Sequence, residues 1–119
     1  MSKHDPKVTL FQIADHARRA QELCTQNTLP EILTDWQKRA AFERVMEVLG
    51  QSVQRLPADL RQRHPSVPWQ TLIDLGNQIS ASHDGIDYAS LWKIASKEAP
   101  GLLATVRHLL EELPTGNQV

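Results

Sequence analysis

Apolar residues along the chain recur at steps of three and four, the spacing that lays one face of an α-helix against a core. The first such stripe is Leu10, Ile13, Ala14, Ala17, Ala20 and Cys24. Asp5-Pro6 precedes it as a start signal, because the Asp carboxylate can accept from the unpaired N–H groups of a first turn and proline is tolerated there. Asn27 to Asp35 interrupts the pattern around Pro30 and leaves LPEIL as one turn of helix. Asp35 then caps a second, longer helix reaching about Arg55, with Phe42, Val45, Leu49, Ser52 and Leu56 at near-heptad spacing. Pro57 ends it. ADLRQRH reads as a short helix, and HPSVPW as a rigid loop bracketed by Pro65 and Pro68.

The third long pattern opens at Pro68, carries Trp69, Leu72, Ile73, Gly76 and Ile79 on one face, and ends near His83, before Asp84-Gly85. Asp87 is the expected N-cap of a fourth helix, with Ile86 before it and Leu91 inside it at the spacing of a hydrophobic staple. Pro100 is expected to kink or split that helix, after which Leu102, Val106, Leu109 and Leu110 resume the stripe. The terminal PTGNQV, residues 114–119, is expected to fray. No strand hairpin, repeat or low-complexity segment interrupts this pattern. The expected fold class is all-α, an antiparallel bundle of four to five helices over residues 1–113.

Composition narrows the function classes. A chain of 119 residues makes one domain with a real core. Thirteen basic and fourteen acidic residues give a formal charge of -1, so nucleic-acid contact would need a local patch rather than a general basic surface. Cys24 is the single cysteine, which excludes an intramolecular disulfide and fits a reducing compartment. MSKHDPK lacks the apolar core of a signal peptide, and no run approaches the roughly 18 apolar residues of a membrane span. The expectation is a soluble, cytoplasmic protein without membrane contact. His4, His16 and His108 show no ligand-like spacing to other His, Cys or paired acids, so neither a metal nor another cofactor is expected.

The stretch GQSVQRLPADLRQRHPSVPW, followed by a helix, a Gly-Ile-Asp turn and YASLW, resembles the HepT-like ribonucleases of the HEPN superfamily. The likeness runs from Asp5 to about Glu112. It is most specific at Arg55-Leu56-Pro57, Arg63-His64-Pro65, Val67-Pro68-Trp69, Gly85-Ile86-Asp87 and Trp92. Glu47 and Gly50 also stand where such proteins carry Glu and Gly, while Gln51-Ser52 replaces the usual Glu-Ala. The resemblance implies a HEPN-type bundle that dimerises, cuts RNA without metal and pairs with a small nucleotidyltransferase in a toxin–antitoxin system.

The family motif is an arginine, usually followed by Asn or Asp, then three variable residues and a histidine, commonly with Gly-Tyr after it. Counting back from Trp92 through Asp87 and Gly85 places the arginine position at Gly76, the Asn at Asn77, the histidine at Ala81 and the tyrosine at His83. Only Asn77 matches. The chemistry needs a group that exchanges protons near neutral pH and a fixed cation beside the phosphate. Five residues separate the two positions by about 140° around an ideal helix, so they converge only at a loosened helix end or across a dimer cleft. With Ala81 and Gly76 in those places the expected catalytic set is empty.

Several readings stay open on these residues. His83 is either a replacement base or a plain helix-terminal residue beside Asp84. Arg61, Arg63 and His64 form a basic cluster that is either a solvated short helix or an RNA-phosphate contact, with Asn77 as a further RNA or nucleotide contact. Gly76 reflects either a close approach of two helix backbones, for instance across a dimer axis, or drift. Trp36, Trp69 and Trp92 are read as core rather than as a base-stacking platform. The expected function is a non-catalytic, dimeric, partner-binding HepT-like protein that contacts RNA weakly if at all. Its partner would be a nucleotidyltransferase-type antitoxin. The alternative is an active RNase toxin using His83 and a relocated arginine.

Overall fold

The computed structural model describes residues 5–81 and 85–113; His83 and the PTGNQV tail lie outside them. All regular secondary structure among the described residues is helical, with seven α-helices: α1 (Pro6–Gln26), α2 (Leu29–Thr34), α3 (Trp36–Arg55), α4 (Ala58–Gln62), α5 (Trp69–Ala81), α6 (Tyr88–Lys93) and α7 (Ala99–Glu112). A π-helical turn, Ile94–Glu98, joins the last two into one rod. Four long rods therefore build the bundle, and α2 and α4 are short connectors.

Neighbouring rods run antiparallel. Gln12, near the start of α1, accepts a hydrogen bond from Arg55 at the end of α3 (2.8 Å), while Arg19 and Gln26 share a surface hollow with Ala41 and Val45. Helix α5 runs back along α3, bringing Leu72 and Gly76 to Gly50 and Ser80 to Glu47. Helix α7 covers the other side of α1.

The caps follow the sequence closely. Asp5 accepts from the Lys7 N–H, Asp35 from the Gln37 and Lys38 N–H groups, and Asp87 from the Ser90 N–H. Thr28 and Glu31 form a reciprocal capping box that makes LPEILT a helix in its own right. Ile86 and Leu91 both reach the core, as the staple spacing requires. At Pro100, which has no N–H to give, the regular hydrogen bonding yields to the π turn, where the Ala99 N–H reaches back to the Ile94 carbonyl.

The predicted stripes form the core. Leu10, Ile13, Ala17, Phe42, Leu49, Leu72, Ile79, Leu102, Val106 and Leu109 are all buried. Ser52 is fully buried among them and satisfies its hydroxyl with the Arg55 guanidinium. Trp69 is buried, and Trp92 packs edge-on against Phe42 with ring centroids 6.4 Å apart. Trp36 corrects the core reading: its side chain is 68 % exposed. It is the first residue of α3 and points away from the Phe42-Val45-Leu49 stripe. No described helix is long and apolar enough to cross a membrane.

Candidate functional site

The stretch from Gly76 to Ala81 forms the last turns of α5, and its residues face different ways. Gly76 is buried against α3. A Cβ on Gly76 would lie 3.0 Å from the Gly50 Cα and 3.3 Å from the Glu47 carbonyl oxygen; one on Gly50 would lie 2.5 Å from the Leu72 carbonyl oxygen. The two glycines thus let the helix backbones touch, and both glycine vacancies are filled by backbone that cannot swing aside. This answers what Gly76 is for. The close approach lies within one chain, between α5 and α3.

Asn77 and Ala81 lie on the exposed side of α5. Helix α5 as a whole, WQTLIDLGNQISA, contains one acid and no basic residue. Next to Ala81, the Ser80 hydroxyl lies 2.7 Å from Glu47 Oε2 and 3.1 Å from the Gly76 carbonyl. A hydroxyl has one proton, and the charged acceptor holds it more strongly. Gln51 donates to the same Ser80 oxygen (3.3 Å), and Arg44 donates to Glu47 Oε1 (3.2 Å). Both oxygens of Glu47, the carboxylate that reaches Ser80, are therefore engaged. That arrangement suits a structural clasp between α3 and α5 better than a proton acceptor for substrate.

One turn earlier on α3, Glu43 accepts a hydrogen bond from the Tyr88 hydroxyl at the start of α6. Burial, then this bond to a carboxylate, push the Tyr88 phenol up to about 12. It is a fixed neutral donor at physiological pH. Leu33, Trp36, Arg39 and Ala40 complete a hollow of about 510 Å³ around this pair. Arg39 Nη1 donates to the Leu33 carbonyl (2.9 Å), which ties α2 to α3.

The basic cluster sits elsewhere. Arg61 is on α4, Arg63 caps its C-terminus, and the His64 carbonyl accepts from Trp69 Nε1 (2.9 Å) at the start of α5. Asn77 lies eight residues further along that helix, roughly 12 Å at 1.5 Å per residue. Asn77 therefore stands about two helical turns from the end of α5 that meets this cluster. Arg61 partly serves packing, since its Nε is buried without a hydrogen-bond partner among the described residues. It lines a separate hollow with Pro65, Val67 and Trp69. The His64 ring meets His108 of α7 edge to face, with ring centroids 6.4 Å apart.

Two features escaped the sequence reading: the Glu47–Ser80 clasp and the Trp36–Arg39–Glu43–Tyr88 hollow. A signal for both was present. Trp36, Ala40, Glu43 and Glu47 are spaced by four, three and four, a second stripe on α3 beside the apolar one. Burial pushes the Cys24 thiol up to about 11, which leaves little thiolate near neutrality.

Comparison with known proteins agrees with this fold. The family model described as ribonuclease HepT-like matches residues 13–109. A protein of Methanocaldococcus jannaschii named as a candidate RNase is 32% identical over 100 residues, covering 84% of this chain and 92% of its own. A second candidate RNase of that organism is 26% identical over 113 residues, covering 95% and 93% of the two chains. A candidate ribonuclease HepT of Thermococcus cleftensis is 25% identical over 100 residues, covering 84% of this chain and 91% of its own. No solved structure matches the chain. The extent of the family match shows that the chain belongs to the HepT-like ribonuclease family.

Proposed function

We propose that this chain is a non-catalytic member of its family, a dimeric module that binds a partner protein and does not cut RNA. The observation that carries the reading is Gly76. By the motif count it holds the arginine position, and the space a side chain would leave through is occupied by the Gly50 backbone of α3. Nothing at that position can place a cation beside a phosphate. Ala81, counted as the histidine position, ends α5 without a titratable group, and the nearby Glu47 is bound on both oxygens. Loss of a proton-transfer group costs about 10²–10⁴-fold, and loss of transition-state charge stabilisation about 10²–10³-fold. Together they bring turnover down to background.

The partner in this reading is a nucleotidyltransferase-type antitoxin, as for the toxin–antitoxin pairs the sequence resembles. A protein that does not cut RNA needs no chemical silencing, so the association would be structural. The decisive test is incubation of the purified protein with single-stranded RNA without metal. No cleavage above buffer is expected. Cleavage that co-purifies with the protein and disappears in His83→Ala would replace this reading with that of an active toxin. Affinity purification from the native host is expected to recover a nucleotidyltransferase.

A further inference from the structure

We propose that the hollow between α2, α3 and the start of α6 binds guanine nucleotides, either free or within a single RNA strand. This goes beyond the partner-binding reading and holds whether or not the protein cleaves RNA. Trp36, Arg39, Ala40 and Glu43 lie at positions i, i+3, i+4 and i+7 of α3, so they share one face. Tyr88 closes the far end through its hydrogen bond to Glu43, and Leu33 forms the side wall. At about 510 Å³ the space suits one nucleotide.

Each element matches a part of that ligand. Trp36 leaves an indole 68 % exposed on the rim, an aromatic face on which a base can stack. The bond to Leu33 uses one of the five N–H donors of Arg39, so its guanidinium can also hold a phosphate. Glu43 selects the base. Its carboxylate accepts from Tyr88 yet keeps further lone pairs for a base edge. Guanine alone among the four RNA bases presents two adjacent donors, N1–H and the 2-amino group, on its Watson–Crick edge. Adenine and cytosine each put an acceptor nitrogen there, which a carboxylate repels. Uracil offers one donor between two acceptors. The neutral Tyr88 hydroxyl keeps the carboxylate oriented, since it cannot ionise and repel it near neutral pH.

Calorimetric titration of the full chain with GMP, AMP and single-stranded pentamers of G or A tests the assignment. GMP and the G pentamer are expected to bind, with AMP and the A pentamer weaker by roughly tenfold, the scale of one bidentate base contact. A pentamer tighter than GMP assigns the site to RNA, and equal affinities assign it to the free nucleotide. Trp36→Ala, at an exposed position that should leave the circular dichroism unchanged, is expected to weaken GMP roughly tenfold or more. Glu43→Gln, which swaps one acceptor for a donor, should erase the preference for GMP over AMP. Absence of binding, equal binding of GMP and AMP, or affinity unmoved by Trp36→Ala overturns the proposal. An indole protected only by a protein partner overturns it as well.

Discussion

Helix α5 meets α3 in two ways within a little more than one turn. At Gly76 the two backbones touch, glycine against glycine, with no side chain between them. At Ser80 a hydroxyl reaches a carboxylate across an exposed edge. Backbone contact is rigid and intolerant, because neither helix can move without dragging its hydrogen-bond ladder. The polar clasp is adjustable and replaceable. The two positions that the motif count assigns fall on opposite sides of this divide: Gly76 is committed to packing, and Ala81 is exposed. In the reading proposed above, the arginine position is occupied by helix packing, whereas the histidine position is left open to solvent.

The sharpest way to break the comparison is Gly50→Ala. Its Cβ would come within 2.5 Å of the Leu72 carbonyl and 2.9 Å of the Gly76 Cα, both backbone atoms. Overpacking a tight site costs about 1–3 kcal/mol and occasionally more, against roughly 1 kcal/mol gained in helix propensity. With backbone contacts this short the cost falls at the upper end of that range, so the expected net loss is about 2 kcal/mol, read as a lower urea midpoint. Unchanged stability would mean that the helices can separate, and the packing account of Gly76 would fail with it.

Gly76→Arg should cost at least as much, about 2 kcal/mol or more, because its Cβ alone would meet backbone at 3.0 and 3.3 Å and the rest of the side chain has only the α3 backbone ahead of it. Ala81→His, exposed at the end of α5, should stay within about 0.5 kcal/mol of the parent. Thermal melts of the two variants side by side measure the asymmetry directly. Equal losses at both positions would erase it. Ser80→Ala comes next. It removes the hydroxyl from Glu47 but leaves that carboxylate with Arg44, so a loss below about 1 kcal/mol is expected in urea unfolding.

The contrast also explains what the sequence made legible. The stripes Leu10–Ile13–Ala17 and Phe42–Val45–Leu49 were readable because burial imposes a helical period on residue type. So were the Asp5, Asp35 and Asp87 caps, whose chemistry is local. Gly76 was visible as an oddity, but its partner Gly50 lies 26 residues away, and pairing them needs the register of α3 on α5. Trp36 misled for the converse reason: a large apolar residue at a helix start fits core or surface equally, and only the rotation of α3 decides. The Arg61–Arg63–His64 cluster and Asn77 stood out as polar residues, but their spacing along α4 and α5 depends on how the loop between those helices folds.

The smallest effect belongs to the edge of the site, where Tyr88 meets Glu43. Tyr88 is the only tyrosine in the chain, so phenolate absorbance in the near ultraviolet reports it alone. Its titration is expected at about 12, above the ordinary value of about 10. The folded value is raised, so the stabilisation from the protonated phenol is fully present below about 10 and is lost as pH rises through about 12. Glu43→Gln removes the charged acceptor and should lower the midpoint. It should not restore the ordinary value, because burial is the larger cause and remains. Arg39→Gln should shift it the other way, since the guanidinium favours the phenolate. A midpoint near 10 in the parent protein would show that Tyr88 is neither buried nor held by Glu43. The hollow would then lack the hydrogen bond that joins the start of α6 to α3.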